Sequence, residues 1–358
     1  MLQHLIDRIR QEGAIPFEVY MELALYHPVG GYFTGERLRS VQDGDFLTSP
    51  EVSPLFGETL AELVTREAAE AGLSRPMVVD AGAGSGSLLR PLLSVLGERA
   101  DPWAVEVSPP ARKALGELVG TQRVVDSLEG LPDTISGVIF ANELLDNLPM
   151  ALARRKADGW RELWVGETDG ELGWVDAPAR PEVEEWLESF AGPTPEGGMV
   201  ECQLAAGRWV TEVLGRLTAG VLVVFDYGDT AQGLESRRAE GTLRTYRAHH
   251  LGPHPLSEPG RTDITADLNF TAVAEAARAA GANVSLHRQD DLLEDLGLTE
   301  RIRTLRTQEA EHARAGDEMR RLETRSLRIG AETLLHPRGL GDFRVLIARR
   351  PDIDFTER

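Results

Sequence analysis

Hydrophobic and polar positions change period several times along the chain, and each change predicts an element. Leu2, Leu5, Ile6 and Ile9 recur at helical spacing, and a second apolar-rich run from Phe17 to Leu25 predicts another helix. Gly, Pro, Ser and Thr then mix with isolated aromatics in HPVGGYF (27–33) and GDFLTSPEVSPLFGE (44–58), a loop-rich region in which Ser53 and Pro54 open a helix reaching about Ala71. From residue 76 short apolar runs alternate with helical patterns such as 109–119. Strands are expected near 77–80, 102–107, 122–125, 137–141, 221–226 and 283–287, with a last one at 343–350. Such alternation predicts right-handed crossovers and a parallel sheet covered on both faces. The last strand is expected to form an antiparallel edge.

Two stretches interrupt this rhythm. Within 151–219, the alternating segments RELWVGE and GELGWVD are joined by Thr168, Asp169 and Gly170, which signals a β-hairpin. The expected organisation is an N-terminal helical extension with a covering loop (1–75), a core formed by 76–150 and 220–350, and an inserted cap over the sheet's rim (151–219). The charged helical region from 290 to about 329 reads as a solvated face that packs one stripe on the sheet.

Composition narrows the function. The chain has 358 residues and a formal net charge of −20, which argues against an electrostatic grip on nucleic acid. The single cysteine, Cys202, excludes an intrachain disulfide framework and a thiolate zinc cluster, and reads as a small buried residue. MLQHLIDRIRQEG carries charges every few residues and is not a secretory signal, and no apolar run approaches the roughly 18 residues of a membrane span. A cytoplasmic protein is expected.

The chemistry concentrates in MVVDAGAGSGSLL (77–89), where a strand ends in Asp80 and a glycine-rich turn opens a helix. Gly82, Gly84 and Gly86, with Ala83 between them, let the backbone approach a ligand where a Cβ would collide. A dinucleotide fingerprint would place glycine at 87, where Ser87 stands. The spacing D-x-G-x-G-x-G instead suits S-adenosylmethionine (SAM). Glu106, after the next strand and beside Val107, is placed to accept hydrogen bonds from both ribose hydroxyls. Asp126, Asn142, Glu143 and Asp226 also fall at strand ends, along the rim where open α/β sheets bind ligands.

HPVGGYF, GDFLTSPEVSPLFGE, DAGAGSGSL, VEVSP, NELLDNLP, FDYG, GTLRTYRAHH, DITADLNF and GLGDFRVL together resemble, in that order and over nearly the whole chain, the MidA family of SAM-dependent methyltransferases. Asp80 stands where the family often has Glu, and Asn147 where a small residue is common. The resemblance implies a class I, Rossmann-like α/β methyltransferase with a mostly parallel seven-stranded sheet. It also implies methyl transfer to a protein arginine, as by the family's mitochondrial members, which are complex I assembly factors. Two other readings are a small-molecule methyltransferase and a SAM-binding assembly factor with little turnover. A protein substrate is the expected partner, and a homodimer is compatible with the sequence.

Each site residue has a functional and a plainer reading. Asp80 would orient the SAM ammonium directly or through water. Asp126, with Ser127 and Leu128, borders the adenine or caps a helix. Glu143 and Asp146 would clamp a guanidinium, which stays protonated to a pKa of about 12 or higher, with Asn142 contributing a contact. Alternatively Asp146 caps a helix and Glu143 pairs with Arg154 or Arg155. Thr48, Ser49 and Glu51 fold over SAM or form a capping box. Asp226, Tyr227 and His249 would line the acceptor pocket. His249, His250 and His254 lack an acid or cysteine in register, so no metal is expected.

Overall fold

The computed structural model describes residues 1–35, 48–247 and 250–350. Its central sheet has seven strands, β1 (Met77–Ala81), β2 (Asp101–Val105), β3 (Val124–Val125), β4 (Ile135–Asn142), β5 (Leu217–Asp226), β6 (Asn283–Arg288) and β7 (Arg344–Arg350). They lie in the order β6-β7-β5-β4-β1-β2-β3. The pairs β1–β2, β1–β4, β2–β3 and β4–β5 are parallel, whereas β7 is antiparallel to both β5 and β6. The last strand is thus antiparallel but interior, and the edge belongs to β6. It is well suited to that place, because Val345, Leu346, Ile347 and Ala348 are buried on both faces, and an edge would leave one row of their backbone groups unpaired.

Alternation along the strands divides the core. Val138 and Phe140 face the helices Leu55–Glu70 and Leu89–Leu96, whereas Ile139 and Ala141 face Leu204–Arg216 and Phe270–Ala279. Leu204–Arg216 therefore packs on the central sheet as a crossover helix through Val210, Val213 and Leu214. It lies within 151–219 but belongs to the core.

The rest of that insertion joins the N-terminal extension. The hairpin of Gly159–Thr168 and Glu171–Pro178 turns at Asp169 and Gly170, both at positive φ, the combination a two-residue I′ turn requires. Ile15 and Pro16 add to it opposite Val165 and Trp164. Leu5, Phe17, Tyr20 and Met21 share one cluster with Leu152, Leu163 and Val165. The charged C-terminal region is a helical hairpin, Leu298–Ala315 and Glu318–Leu334, that sends Ile302, Ala331 and Leu334 into the core.

Candidate functional site

A cavity of about 640 Å³ opens beyond the carboxyl ends of β1, β2, β4 and β5. Asp80 is the penultimate residue of β1, and after Ala81 the chain turns through Gly82 (φ 74°) and Gly84 (φ 52°), left-handed conformations that a side chain strains. The N–H groups of Gly82 and Ala83 donate to the Val105 carbonyl at 2.9 and 3.1 Å, which fastens the turn to β2. Glu106 then spans the gap. Its carboxylate accepts from Gly84 N–H and from Ser108 N–H, each at 2.7 Å, which leaves acceptor capacity for a further donor. Burial raises its pKa against the pull of those amides and of Arg112. Asp80 is only 2% exposed, and burial next to the charge of Glu106 pushes it up to about 8. Its Oδ2 has no hydrogen-bond partner.

The other end is built by β4, β5 and the segment after residue 260. Glu143 follows β4 at φ 50°, an uncommon conformation for a side-chain-bearing residue, held by its N–H donating to Phe225 O at 2.8 Å. Its Oε1 accepts from Asn142 Nδ2 at 3.2 Å and Ser49 N–H at 3.4 Å. Burial first, then the charge of Asp146, lifts Glu143 to about 8. Arg154 pairs with Asp176 and Arg155 lies over Trp160, so the alternative ion pair for Glu143 is not formed. Asp146 accepts from the Thr265 hydroxyl at 2.5 Å and from the Tyr227 hydroxyl, both on Oδ2. Its pKa too is raised by burial.

Thr48, Glu51, Asp80, Gly82, Ala83, Gly84, Glu106, Val107, Asp126, Ser127, Leu128, Asn142, Glu143, Asp146 and Tyr227 all line this one cavity. Four expected residues differ. Gly86 is absent from the lining; a Cβ there would meet Leu115 and Leu118 at 3.1 and 3.2 Å, so this glycine serves helix packing. Ser49 is fully buried, its hydroxyl bonded to Gln289 at 3.1 Å. Asp226 is 0% exposed and does not face the cavity. Its two oxygens accept from the backbone N–H groups of Tyr227 (3.0 Å) and Asp146 (3.2 Å), making it a clamp beneath the site. His249 lies outside the described residues.

Thr48 and Glu51 do form a capping box, with Thr48 N–H donating to Glu51 at 3.1 Å, while also lining the cavity. Ser127, not Asp126, occupies the N-cap position of the turn Leu128–Gly130. His254 accepts from Trp174 Nε1 at 3.1 Å, and among the described residues no His, Cys, Asp or Glu cluster could hold a metal.

Sequence reasoning missed Glu22, Tyr26, Tyr32, Phe33, Asn147, Trp209, Glu212 and Asp263, which also line the cavity. Helix Phe17–Tyr26 supplies Glu22 and Tyr26, one turn apart, and the Tyr26 hydroxyl donates to Asn147 O at 3.1 Å. The available signal was modest: two acids, Glu18 and Glu22, and two phenols, Tyr20 and Tyr26, on an otherwise apolar helix. The roof is thus the N-terminal region, and of 151–219 only Trp209 and Glu212 reach the cavity. Ten lining residues are Asp or Glu, and none of the described ones is Lys, Arg or His.

Residues 56–287 match the family described as "Putative S-adenosyl-L-methionine-dependent methyltransferase". The chain is 29% identical to protein arginine methyltransferase NDUFAF7, mitochondrial, of Rattus norvegicus, an alignment covering 96% of this chain and 82% of the relative. The Homo sapiens protein of the same name is 28% identical over 85% of this chain and 75% of its own. A crystal structure from Burkholderia thailandensis, with S-adenosyl-homocysteine bound, superposes with a TM-score of 0.83 at 30% identity, covering 98% of this chain and 91% of that one. The names of the two relatives are mitochondrial and lend no support to the cytoplasmic expectation.

Proposed function

The chain belongs to this family of SAM-dependent methyltransferases, and we propose that it has a class I methyltransferase architecture and methylates an arginine side chain of a protein. The observation that carries the acceptor class is the acidic cavity, whose described lining has no basic residue to neutralise it. Two of its buried carboxylate oxygens, Asp80 Oδ2 and Asp146 Oδ1, have no hydrogen-bond partner, which is costly unless a cation arrives with the ligand.

The residues fit SAM. Asp80 Oδ2, buried and unpartnered, is a ready acceptor for an ammonium. The left-handed Gly82 and Gly84 expose backbone at close range, and Glu106 has lone pairs for ribose hydroxyls. Val107 and Leu128 offer apolar walls for a base, with Asp126 and Ser127 at its edge, while Thr48 and Glu51 close the N-terminal side. When bound, SAM supplies an electrophilic methyl group on a sulfonium.

At the other end Glu143 and Asp146 hold the acceptor, with Asn142 completing the contact. A guanidinium stays charged at any working pH, and its several N–H donors match clustered oxygen acceptors better than a single ammonium does. Orientation is the protein's main contribution, because methyl transfer needs in-line approach more than covalent help. The similarity to proteins named arginine methyltransferases supports the same acceptor.

Incubating the purified chain with methyl-labelled SAM and a protein extract, followed by acid hydrolysis, tests this reading. Label in methylarginine is expected. Label confined to small molecules or to methyllysine would overturn it.

A further inference from the structure

Asp146 is 2% exposed, yet its two oxygens are used unequally. Oδ2 takes the hydroxyls of Thr265 and Tyr227, which also meet each other, whereas Oδ1 has no partner. The arrangement is anchored from behind, because Asp226 accepts from the backbone N–H groups of both Asp146 and Tyr227. Thr265 sits on strand Asp263–Thr265, registered against Arg244–Arg247. Nearby, Asn142 Oδ1 is a second buried acceptor without a partner. Two such oxygens at the end of β4, in a lining with ten acids, mark a place for a donor that comes with a ligand.

We propose that the Tyr227 and Thr265 hydroxyls brace Asp146 so that its Oδ1 meets the acceptor guanidinium, which makes Tyr227 and Thr265 positioning residues and sets the preference for arginine over lysine. This rests on the arginine reading above. By occupying Oδ2, the hydroxyls prevent the carboxylate from rotating away and leave one oxygen in a fixed direction. A planar, rigid set of N–H donors gains most from fixed acceptors, whereas a rotating ammonium gains less. Among the described residues the titratable groups around this carboxyl include Glu143, Asp226, Asp263, Tyr227 and Tyr26, all acids or phenols. The two hydroxyls therefore also help keep Asp146 ionised.

Calorimetric titration of the full chain, saturated with S-adenosyl-homocysteine, with N-acetyl-arginine amide and N-acetyl-lysine amide at pH 7 and pH 9 tests the brace. The wild type should prefer the arginine probe. Tyr227→Phe and Thr265→Val should each weaken arginine binding about tenfold or more and narrow the preference, since each removes a hydrogen bond to a charged group. The loss should shrink as pH rises, because an unbraced Asp146 holds its proton more tightly. Thr265→Ser should restore binding, and S-adenosyl-homocysteine affinity should stay within about twofold throughout, as expected for separate sites. A wild type indifferent to the arginine probe would overturn the arginine reading and the brace with it. Normal arginine binding in both variants would overturn the brace alone. So would a parallel loss of S-adenosyl-homocysteine binding, which would make the hydroxyls general supports of the rim.

Discussion

The two ends of the cavity are made in different ways. The end we propose for the cofactor uses backbone and close neighbours: Asp80, Gly82, Gly84 and Glu106 come from two adjacent strands and the turns that follow them. The end we propose for the acceptor brings together Tyr26, Asp146, Tyr227 and the strand Asp263–Thr265, four segments far apart in the chain. One end depends on what the backbone can approach; the other on how distant segments stack. Variants at the first should weaken or abolish cofactor binding, and variants at the second should spare it.

The largest effect is expected from Gly84→Val. A β-branched residue at φ 52° is strongly disfavoured, and the turn it would distort carries the N–H held by Glu106. Calorimetry should show no binding of S-adenosyl-homocysteine to a chain whose circular dichroism is unchanged; retained binding would erase the contrast between the ends.

Next is Glu143→Gln, which keeps shape and removes the carboxyl that a bound guanidinium would ionise. Methyl transfer should fall about 10²–10³-fold, the scale of losing one group that stabilises the reacting centre. S-adenosyl-homocysteine affinity should change little, and a loss of both together would show that Glu143 serves the cofactor end.

Asp80→Asn should weaken cofactor binding about tenfold or more, the scale of losing a charge-assisted hydrogen bond. With saturating SAM the acceptor KM should be unaltered. A changed acceptor KM would mean that the ends are not separable.

The smallest effect is on stability. Asp80 and Glu143 hold their protons to about pH 8 in the folded chain, against ordinary values of 3.8 and 4.5. The folded state thus binds more protons between those limits. Their stabilising contribution is complete below the ordinary values and is lost as pH rises through about 8. Scanning calorimetry of the unliganded chain should give a lower Tm at pH 9 than at pH 6, by an amount that shrinks in Glu143→Gln. S-adenosyl-homocysteine should reduce the part due to Asp80, and an unchanged pH dependence with ligand would place Asp80 away from the ammonium.

The same contrast explains what was legible beforehand. That Asp80, Gly82, Gly84 and Glu106 line the cavity could be read because a strand end and its turn are local, and their spacing reports the backbone directly. Asp226 was misread for the complementary reason. A strand-end position predicts nearness to the rim, but not that the carboxylate turns inward to hold two backbone amides. Ser49 and Gly86 likewise sit in the right segments while serving packing and hydrogen bonding below the surface. Tyr26 and Glu22 gave little warning, since helix Phe17–Tyr26 has the apolar pattern of any buried helix.

The sequence by itself determined the alternation of strands and helices, the glycine turn after Asp80 and the acid after the next strand. These depend on side-chain period and on the backbone freedom of single residues, which act over a few positions. Only the tertiary structure decided that β7 lies inside the sheet, that helix Phe17–Tyr26 reaches the cavity and that Thr265 and Tyr227 share one oxygen of Asp146. Those outcomes depend on which distant surfaces pack together, and packing is a property of the assembled core that no local pattern encodes.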